Sequence, residues 1–251
     1  MKRFWSWTPV LLLAVSSSAH AQINLAWNNC ITQANATDNV QYACNGTASG
    51  TVNLVCSFIP PGGLPAWVGA DMYLSISAES GSLPDFWDLD FGGCREGSLF
   101  FPAYDNQTGT GSSGVCQNPW SGAPSGGAFA YQLNYQGSGA TRLHSTRAIA
   151  YSRALSAGQQ YHAGVFTLDF LNSAESETQP LCAGCCTPVT ITLTSVELYQ
   201  TAGSPGGDVI TLTTPATRNV VTWNSLGCNG SSSIPTPTRT TSWGRIKATY
   251  R

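Results

Sequence analysis

Short runs of alternating apolar and polar residues recur along the chain, separated by clusters of Gly, Pro, Asn and Ser. Such runs, rich in β-branched and aromatic residues, are typical of β-strands. No long segment shows the 3.6-residue periodicity of an amphipathic helix. The predicted strands cover residues 51–58, 72–77, 98–104, 128–135, 147–155, 161–171, 189–200, 208–212 and 218–224. The pattern therefore predicts an all-β fold, an antiparallel β-sandwich of the jelly-roll-like or immunoglobulin-like type, held by disulfides.

The run 189–200 changes its pattern partway along. Apolar residues occupy odd positions up to Leu193 and even positions from Val196 onward. Successive side chains of a strand point to opposite faces, so a change of parity reverses the face that is buried. Because one extra residue restores the original facing, the sequence predicts a β-bulge or bend near Ser195.

The N-terminus has the features of an export signal. Lys2 and Arg3 precede a short apolar core at 10–15 and a small-x-small motif at 19–21. That core is too short to span a bilayer, which takes about 20 apolar residues. We therefore expect residues 1–21 to be removed, leaving a secreted chain that is extracellular or periplasmic, either free or attached to the cell surface. No later segment is apolar enough for a transmembrane helix.

The rest of the chain divides by composition. Residues 22–228 suit a single β-sandwich domain, and residues 229–241 form a Ser/Pro/Thr-rich linker. Residues 242–251 form a short basic, amphipathic tail. Its candidate recognition residues are Trp243, Arg245, Lys247, Tyr250 and Arg251. We expect this tail to be recognised by a sorting machinery or a partner, or alternatively to fold back onto the domain.

The charge of the chain argues against polyanionic partners. Charged residues make up 10% of the chain, against about 25% in typical soluble proteins. Loss of Lys2 and Arg3 would change the formal net charge from −2 to −4. Nucleic acids and anionic membranes require a basic surface, so neither is expected as the main partner.

Nine cysteines follow the export signal, and an odd number leaves one unpaired. They are Cys30, Cys44, Cys56, Cys94, Cys116, Cys182, Cys185, Cys186 and Cys228. In an oxidising compartment we expect them to form disulfides. Spacing leaves the connectivity open. The candidate pairs are Cys94–Cys116, which is favoured, Cys30–Cys44, Cys182–Cys185, and Cys185 or Cys186 with Cys56 or Cys228.

The cluster at 182–186 has two other interpretations. Zinc would take four thiolates from Cys182, Cys185, Cys186 and Cys228, but only one half of that set resembles a zinc knuckle. A redox C-x-x-C motif belongs at the start of a helix, whereas this one precedes a predicted strand. Both interpretations are weaker than the disulfide one.

The segment 85–96 is the most acidic in the chain, with Asp85, Asp88, Asp90 and Glu96 around Trp87. The aspartates could bind calcium, the only cofactor that the sequence suggests. A carboxylate pair here could instead hydrolyse a glycosidic bond. The third interpretation is a structural turn, in which Trp87 closes one end of the sandwich.

Three tryptophans, Trp67, Trp87 and Trp120, lie in Pro- or Gly-rich contexts that suggest loops. Exposed on loops, they would form an aromatic platform for a glycan; buried, they would be packing anchors.

Catalytic motifs are absent from the sequence. Two histidines follow the export signal, His144 and His162, and neither lies in a recognisable nucleophile motif. We therefore expect a non-enzymatic secreted or cell-surface protein that is structural, adhesive or ligand-binding, with a glycan or cell-surface component as partner. The alternatives are a carbohydrate-active hydrolase using the segment 85–96, and a subunit of a surface layer or filament.

Overall fold

The computed structural model describes residues 22–42, 44, 50–101, 116–122, 125–135, 141–170, 173 and 182–229. The predicted export signal, the linker beyond Asn229 and the basic tail lie outside the described residues. Candidate tail residues Trp243, Arg245, Lys247, Tyr250 and Arg251 are therefore not placed.

Two β-sheets form a sandwich, which confirms the predicted all-β class. The smaller sheet consists of β1 (Gln22–Trp27), β3 (Thr51–Ile59), β5 (Leu99–Phe100), β6 (Cys116–Gln117) and β9 (Gln160–Asp169). Its strand order is β1-β3-β9-β5, with β6 also paired to β9. The larger sheet consists of β2 (Asn39–Val40), β4 (Leu64–Ala78), β7 (Ser125–Gln132), β8 (Thr141–Leu155), β10 (Val189–Gln200), β11 (Val209–Leu212) and β12 (Val220–Trp223). Its strand order is β2-β12-β10-β4-β8-β7, with β11 also paired to β10. Pairing is antiparallel except for β2 with β12 and β6 with β9.

All nine predicted strands correspond to observed strands. The bounds of β10 agree with the prediction, and the bounds of the other eight differ from it. Within the described residues, which stop at Phe101 in this region, the strand predicted at 98–104 is observed at Leu99–Phe100. The strand predicted at 72–77 begins at Leu64. Strands β1, β2 and β6 were not predicted. The predicted bulge is confirmed, because the register between β10 and β4 shifts between Leu193 and Ser195.

Aromatic side chains fill one end of the core. The Trp223 ring lies 5.7 Å from that of Trp87 and 6.3 Å from that of Trp27, both edge-on, and Phe86 and Tyr42 pack beside it. The buried Trp223 indole Nε1 donates to the Cys185 carbonyl at 2.9 Å. This hydrogen bond joins the aromatic core to the cysteine cluster before β10.

Four disulfides form, and the predicted odd thiol is Cys56, which is buried. The bridges are Cys30–Cys116, Cys44–Cys185, Cys94–Cys182 and Cys186–Cys228. Of the candidate pairs, Cys186–Cys228 is confirmed. The favoured Cys94–Cys116 is wrong, as are Cys30–Cys44 and Cys182–Cys185. The wrong pairs join cysteines that are close in sequence. Each observed bridge instead joins segments at least 42 residues apart, which the fold brings together.

The zinc and redox interpretations of the cysteine cluster are also wrong. Cys182, Cys185, Cys186 and Cys228 are all in disulfides, so no thiolate is left to bind a metal or exchange electrons. Adjacent Cys185 and Cys186 bond to different partners, which anchors the start of β10 on two sides.

Candidate functional site

The acidic segment 85–96 is a structural turn. Residues Asp85–Trp87 form one turn of 3-10 helix that buries Phe86 and Trp87. The carboxylates cap nearby backbone amides: Asp90 Oδ1 accepts from Phe91 N at 2.8 Å, and Glu96 Oε2 accepts from Gly92 N at 3.1 Å.

The calcium prediction for Asp85, Asp88 and Asp90 is not supported by their placement. Within the described residues, the only set of three or more potential metal ligands with all ligand atoms within 4.8 Å of one another is Cys44, Cys186 and Cys228, which are all disulfide-bonded. The Asp88 carboxylate lies against Gly93, where a Cβ would overlap it. The turn therefore requires a glycine at position 93.

Arg95 holds this segment to the body of the protein. Its side chain is 1% exposed, with the guanidinium 3.9 Å above the centre of the Phe86 ring. It donates to the carbonyl oxygens of Phe86, at 3.1 Å, and of Asp169 at the end of β9. Burial lowers the pKa of Arg95 to about 10, so the side chain stays charged at neutral pH.

The prediction of an aromatic platform for a glycan is wrong, because Trp67, Trp87 and Trp120 are all buried in the core. Trp67 lies in β4 and packs against Trp120 with ring centroids 4.6 Å apart. The Trp120 indole donates to the His162 carbonyl at 3.0 Å. None of the three presents a ring face to a ligand, and the interpretation as packing anchors holds.

The structure brings together a different set of residues, on the outer face of the larger sheet. Along β4, β8 and β10, alternate side chains point away from the core. Six of them form what we call the sheet-face cluster: Asp71, Tyr73, Arg142, His144, Glu197 and Tyr199. All six are partly exposed.

Two carboxylates meet at the centre of the sheet-face cluster. Asp71 on β4 and Glu197 on β10 are direct cross-strand partners. Like charges placed opposite each other destabilise a sheet. The Tyr199 hydroxyl lies between them, 2.8 Å from Glu197 Oε2 and 3.2 Å from Asp71 Oδ2. It has one proton to donate, so it can satisfy only one carboxylate at a time.

His144 and Arg142 supply the basic side of the sheet-face cluster. His144 Nε2 lies 3.3 Å from Asp71 Oδ2, and the imidazole stacks on Tyr73 with ring centroids 4.4 Å apart. The Arg142 guanidinium lies 4.7 Å from the centre of the Tyr73 ring and donates to the Tyr135 hydroxyl at 2.9 Å. Neighbouring side chains thus hold the side chains of His144 and Arg142 in place.

The two tyrosines of the cluster act as hydrogen-bond donors. Partial burial, the hydrogen bond to Glu197 and the charge of Asp71 raise the pKa of Tyr199 above its usual value. Partial burial and the charges of Glu197 and Asp71 also raise the pKa of Tyr73, while Arg142 acts in the opposite direction. Both hydroxyls therefore remain protonated at neutral pH, which disfavours tyrosinate as a catalytic base.

Sequence reasoning missed the sheet-face cluster. In the sequence alone, His144 lies in no recognisable catalytic motif, and Glu197 is one polar residue within the run 189–200. The available signal was acidic or aromatic residues at the outward positions of 71–77 and 197–199. That signal has meaning only when β4, β8 and β10 are known to be neighbours.

Among the described residues, no helix is both long and apolar enough to cross a membrane. Four disulfides are the kind of cross-link that persists in oxidising compartments. Comparisons with protein-family models and with curated protein sequences find no match to this chain.

Proposed function

We propose that this chain is a secreted, disulfide-bonded binding protein that recognises a glycan on the outer face of its larger sheet, without catalysing a reaction. The observation that carries the proposal is the partly exposed sheet-face cluster, in which two carboxylates are held opposite each other at a cost in stability. Proteins retain such costs at functional sites more often than elsewhere.

The chemistry of this face suits a ligand rich in hydroxyl groups. Carboxylate oxygens accept hydrogen bonds from sugar hydroxyls, and the Tyr and Arg side chains donate them. Further along the same face, hydroxyl side chains line the strands: Ser75, Ser77, Thr190 and Thr192. The low overall charge favours a neutral or weakly charged polymer over a polyanion.

A glycan array, followed by calorimetry on the best ligand, tests the proposal. We expect Asp71→Asn and Glu197→Gln to weaken binding at least about tenfold, equivalent to roughly 1.4 kcal/mol. Glu79→Gln is the matched control, because this exposed carboxylate lies just past the end of β4 and outside the cluster. The control should bind within about twofold of the parent protein.

The same variants separate a binding role from a structural one. Removing one of two opposed charges should leave the free energy of unfolding unchanged or raise it by up to about 0.5 kcal/mol, and the melting temperature should change in the same direction. Weaker binding together with equal or higher stability is the expected signature. Lower stability in both variants, with binding unchanged, would assign the two carboxylates to the fold instead.

A hydrolase remains the second candidate, with its location changed from the segment 85–96 to the sheet face. Asp71 and Glu197 contact the same hydroxyl, a closeness compatible with the about 5 Å between the carboxyl groups of retaining glycosidases. Incubation of array-positive glycans with the protein distinguishes the two functions. Turnover that disappears in both Asp71→Asn and Glu197→Gln would favour the enzyme.

A further inference from the structure

Among the described residues, strand β7 is a long edge of the larger sheet that no other segment covers. It pairs only with β8 in the described part of the chain, and the five residues from Gly126 to Ala130 are all exposed. The strand sequence SGGAFAYQ contains no charged residue and no proline. Natural edge strands usually carry such residues, or are short or covered, because an open edge readily pairs with another strand.

The other edges are protected where the structure describes them. Strands β2 and β5 have two residues each, and β11 has four. Strand β1 is covered by the segment 214–218, since Ile23 N donates to the Thr214 carbonyl at 2.9 Å and Leu25 N to that of Arg218 at 2.8 Å. The contrast makes β7 the one long edge without a protective device among the described residues.

We propose that β7 pairs antiparallel with β7 of a second copy, joining two larger sheets into one. An uncharged strand is electrostatically compatible with itself, so symmetric pairing creates no like-charge contact. The side chains of Gly126, Gly127, Ala128 and Ala130 are small enough for close approach. The Phe129 ring, 39% exposed beside Phe101, would gain apolar cover from the other copy.

The geometry of the pairing gives it a functional meaning, which rests on the proposed glycan binding. Antiparallel strands in one sheet are related by a two-fold axis perpendicular to the sheet, so both sheet-face clusters would face the same side. Five strand spacings separate the two copies of β4, which is about 24 Å. A repetitive polymer could then bind both clusters at once and gain avidity.

Analytical ultracentrifugation of the oxidised protein without ligand tests the pairing. We expect a reversible dimer, which Ala128→Lys weakens at least about tenfold because two lysines would meet at the junction. Val209→Lys is the control, since it adds the same charge to β11 at the other side of the same sheet. This variant should dimerise like the parent protein.

Hydrogen exchange on the parent protein supports the test without any substitution. Amides of residues 125–132 should exchange more slowly as the protein concentration rises, while those of 209–212 should not change. A protein that stays monomeric at every attainable concentration overturns the proposal, as does a dimer that Ala128→Lys does not weaken. Protection of β7 only by an added extended peptide also overturns it, because the edge would then bind a strand of another protein.

Two measurements keep this proposal separate from the proposed function. Ala128→Lys should bind a short oligosaccharide like the parent protein but lose affinity for the polymer. A dimer that forms in a protein with no glycan affinity would overturn the glycan proposal and leave the strand pairing in place.

Discussion

At the scale of single residues, Cys56 differs from the other eight cysteines. Its side chain is fully buried within β3, where its cross-strand partners are Leu25 and Gly164. Burial raises the pKa of the Cys56 thiol far above its usual range, so the reactive thiolate is not populated. The residue therefore behaves as a small apolar side chain of the core.

A thiol titration checks this assignment. We expect no reaction of the folded, oxidised protein with an aromatic disulfide reagent, and one thiol per chain after unfolding in denaturant. Cys56→Ala should give no thiol in either state and keep all four bridges. Rapid reaction of the folded protein, or more than one thiol after unfolding, would contradict the pairing described above.

At the scale of elements, the connection from β4 to β5 is fixed by contacts at three places. Trp87 lies in the core, the Cys94–Cys182 bridge ties the turn to the start of the β10 segment, and Arg95 bonds to two carbonyl groups. Gly184 supports the same junction, because a Cβ there would overlap the Pro84 ring. A segment rich in carboxylates is thus organised by one buried cation and one disulfide.

Substitution of Arg95 measures that organisation. Arg95→Ala leaves one buried and one partly buried carbonyl group without their charged donor, and we expect a loss of about 2–4 kcal/mol in the free energy of unfolding. Arg153→Ala is the control, because that side chain donates to the Ser121 carbonyl in an exposed hydrogen bond. Its effect should stay within about 0.5 kcal/mol. Equal losses in chemical denaturation would show that Arg95 has no special role.

At the scale of the whole molecule, the disulfides close long loops. The bridges span 86, 141, 88 and 42 residues. Cross-links across long separations restrict the unfolded chain strongly, which lowers its entropy. This stabilisation matters in a protein in which charged residues make up only 10% of the sequence.

Removing one bridge tests its share. We expect the double substitution of Cys94 and Cys182 by Ala to cost about 2–5 kcal/mol in chemical denaturation. Cys56→Ala serves as the control, because it removes a sulfur atom without removing a bridge. A loss no larger than that of the control would show that the fold does not depend on this cross-link.

Much of the fold could be predicted, because alternation is a local property of the sequence. The run 189–200 gave both its strand and its bulge from parity alone. The start of β4 was missed because Pro65 and Gly69 interrupt the pattern there. Disulfide partners and the sheet-face cluster depend on which strands are neighbours, and pairing over more than 50 residues leaves no local trace.

The adjacent cysteines before β10 also determine how the covalent network is divided. From Cys30 to Cys228, every peptide bond lies within a disulfide loop except the one that joins Cys185 to Cys186. A protease cut elsewhere in this range would leave the fragments covalently linked. A cut there would leave β10, β11 and β12 held to the rest of the protein by non-covalent contacts alone. Asp71 and His144 would then lie on one fragment and Glu197 and Tyr199 on the other. Under oxidising conditions, the bond between Cys185 and Cys186 is therefore the one bond in this range whose cleavage leaves the two halves of the sheet-face cluster without a covalent link.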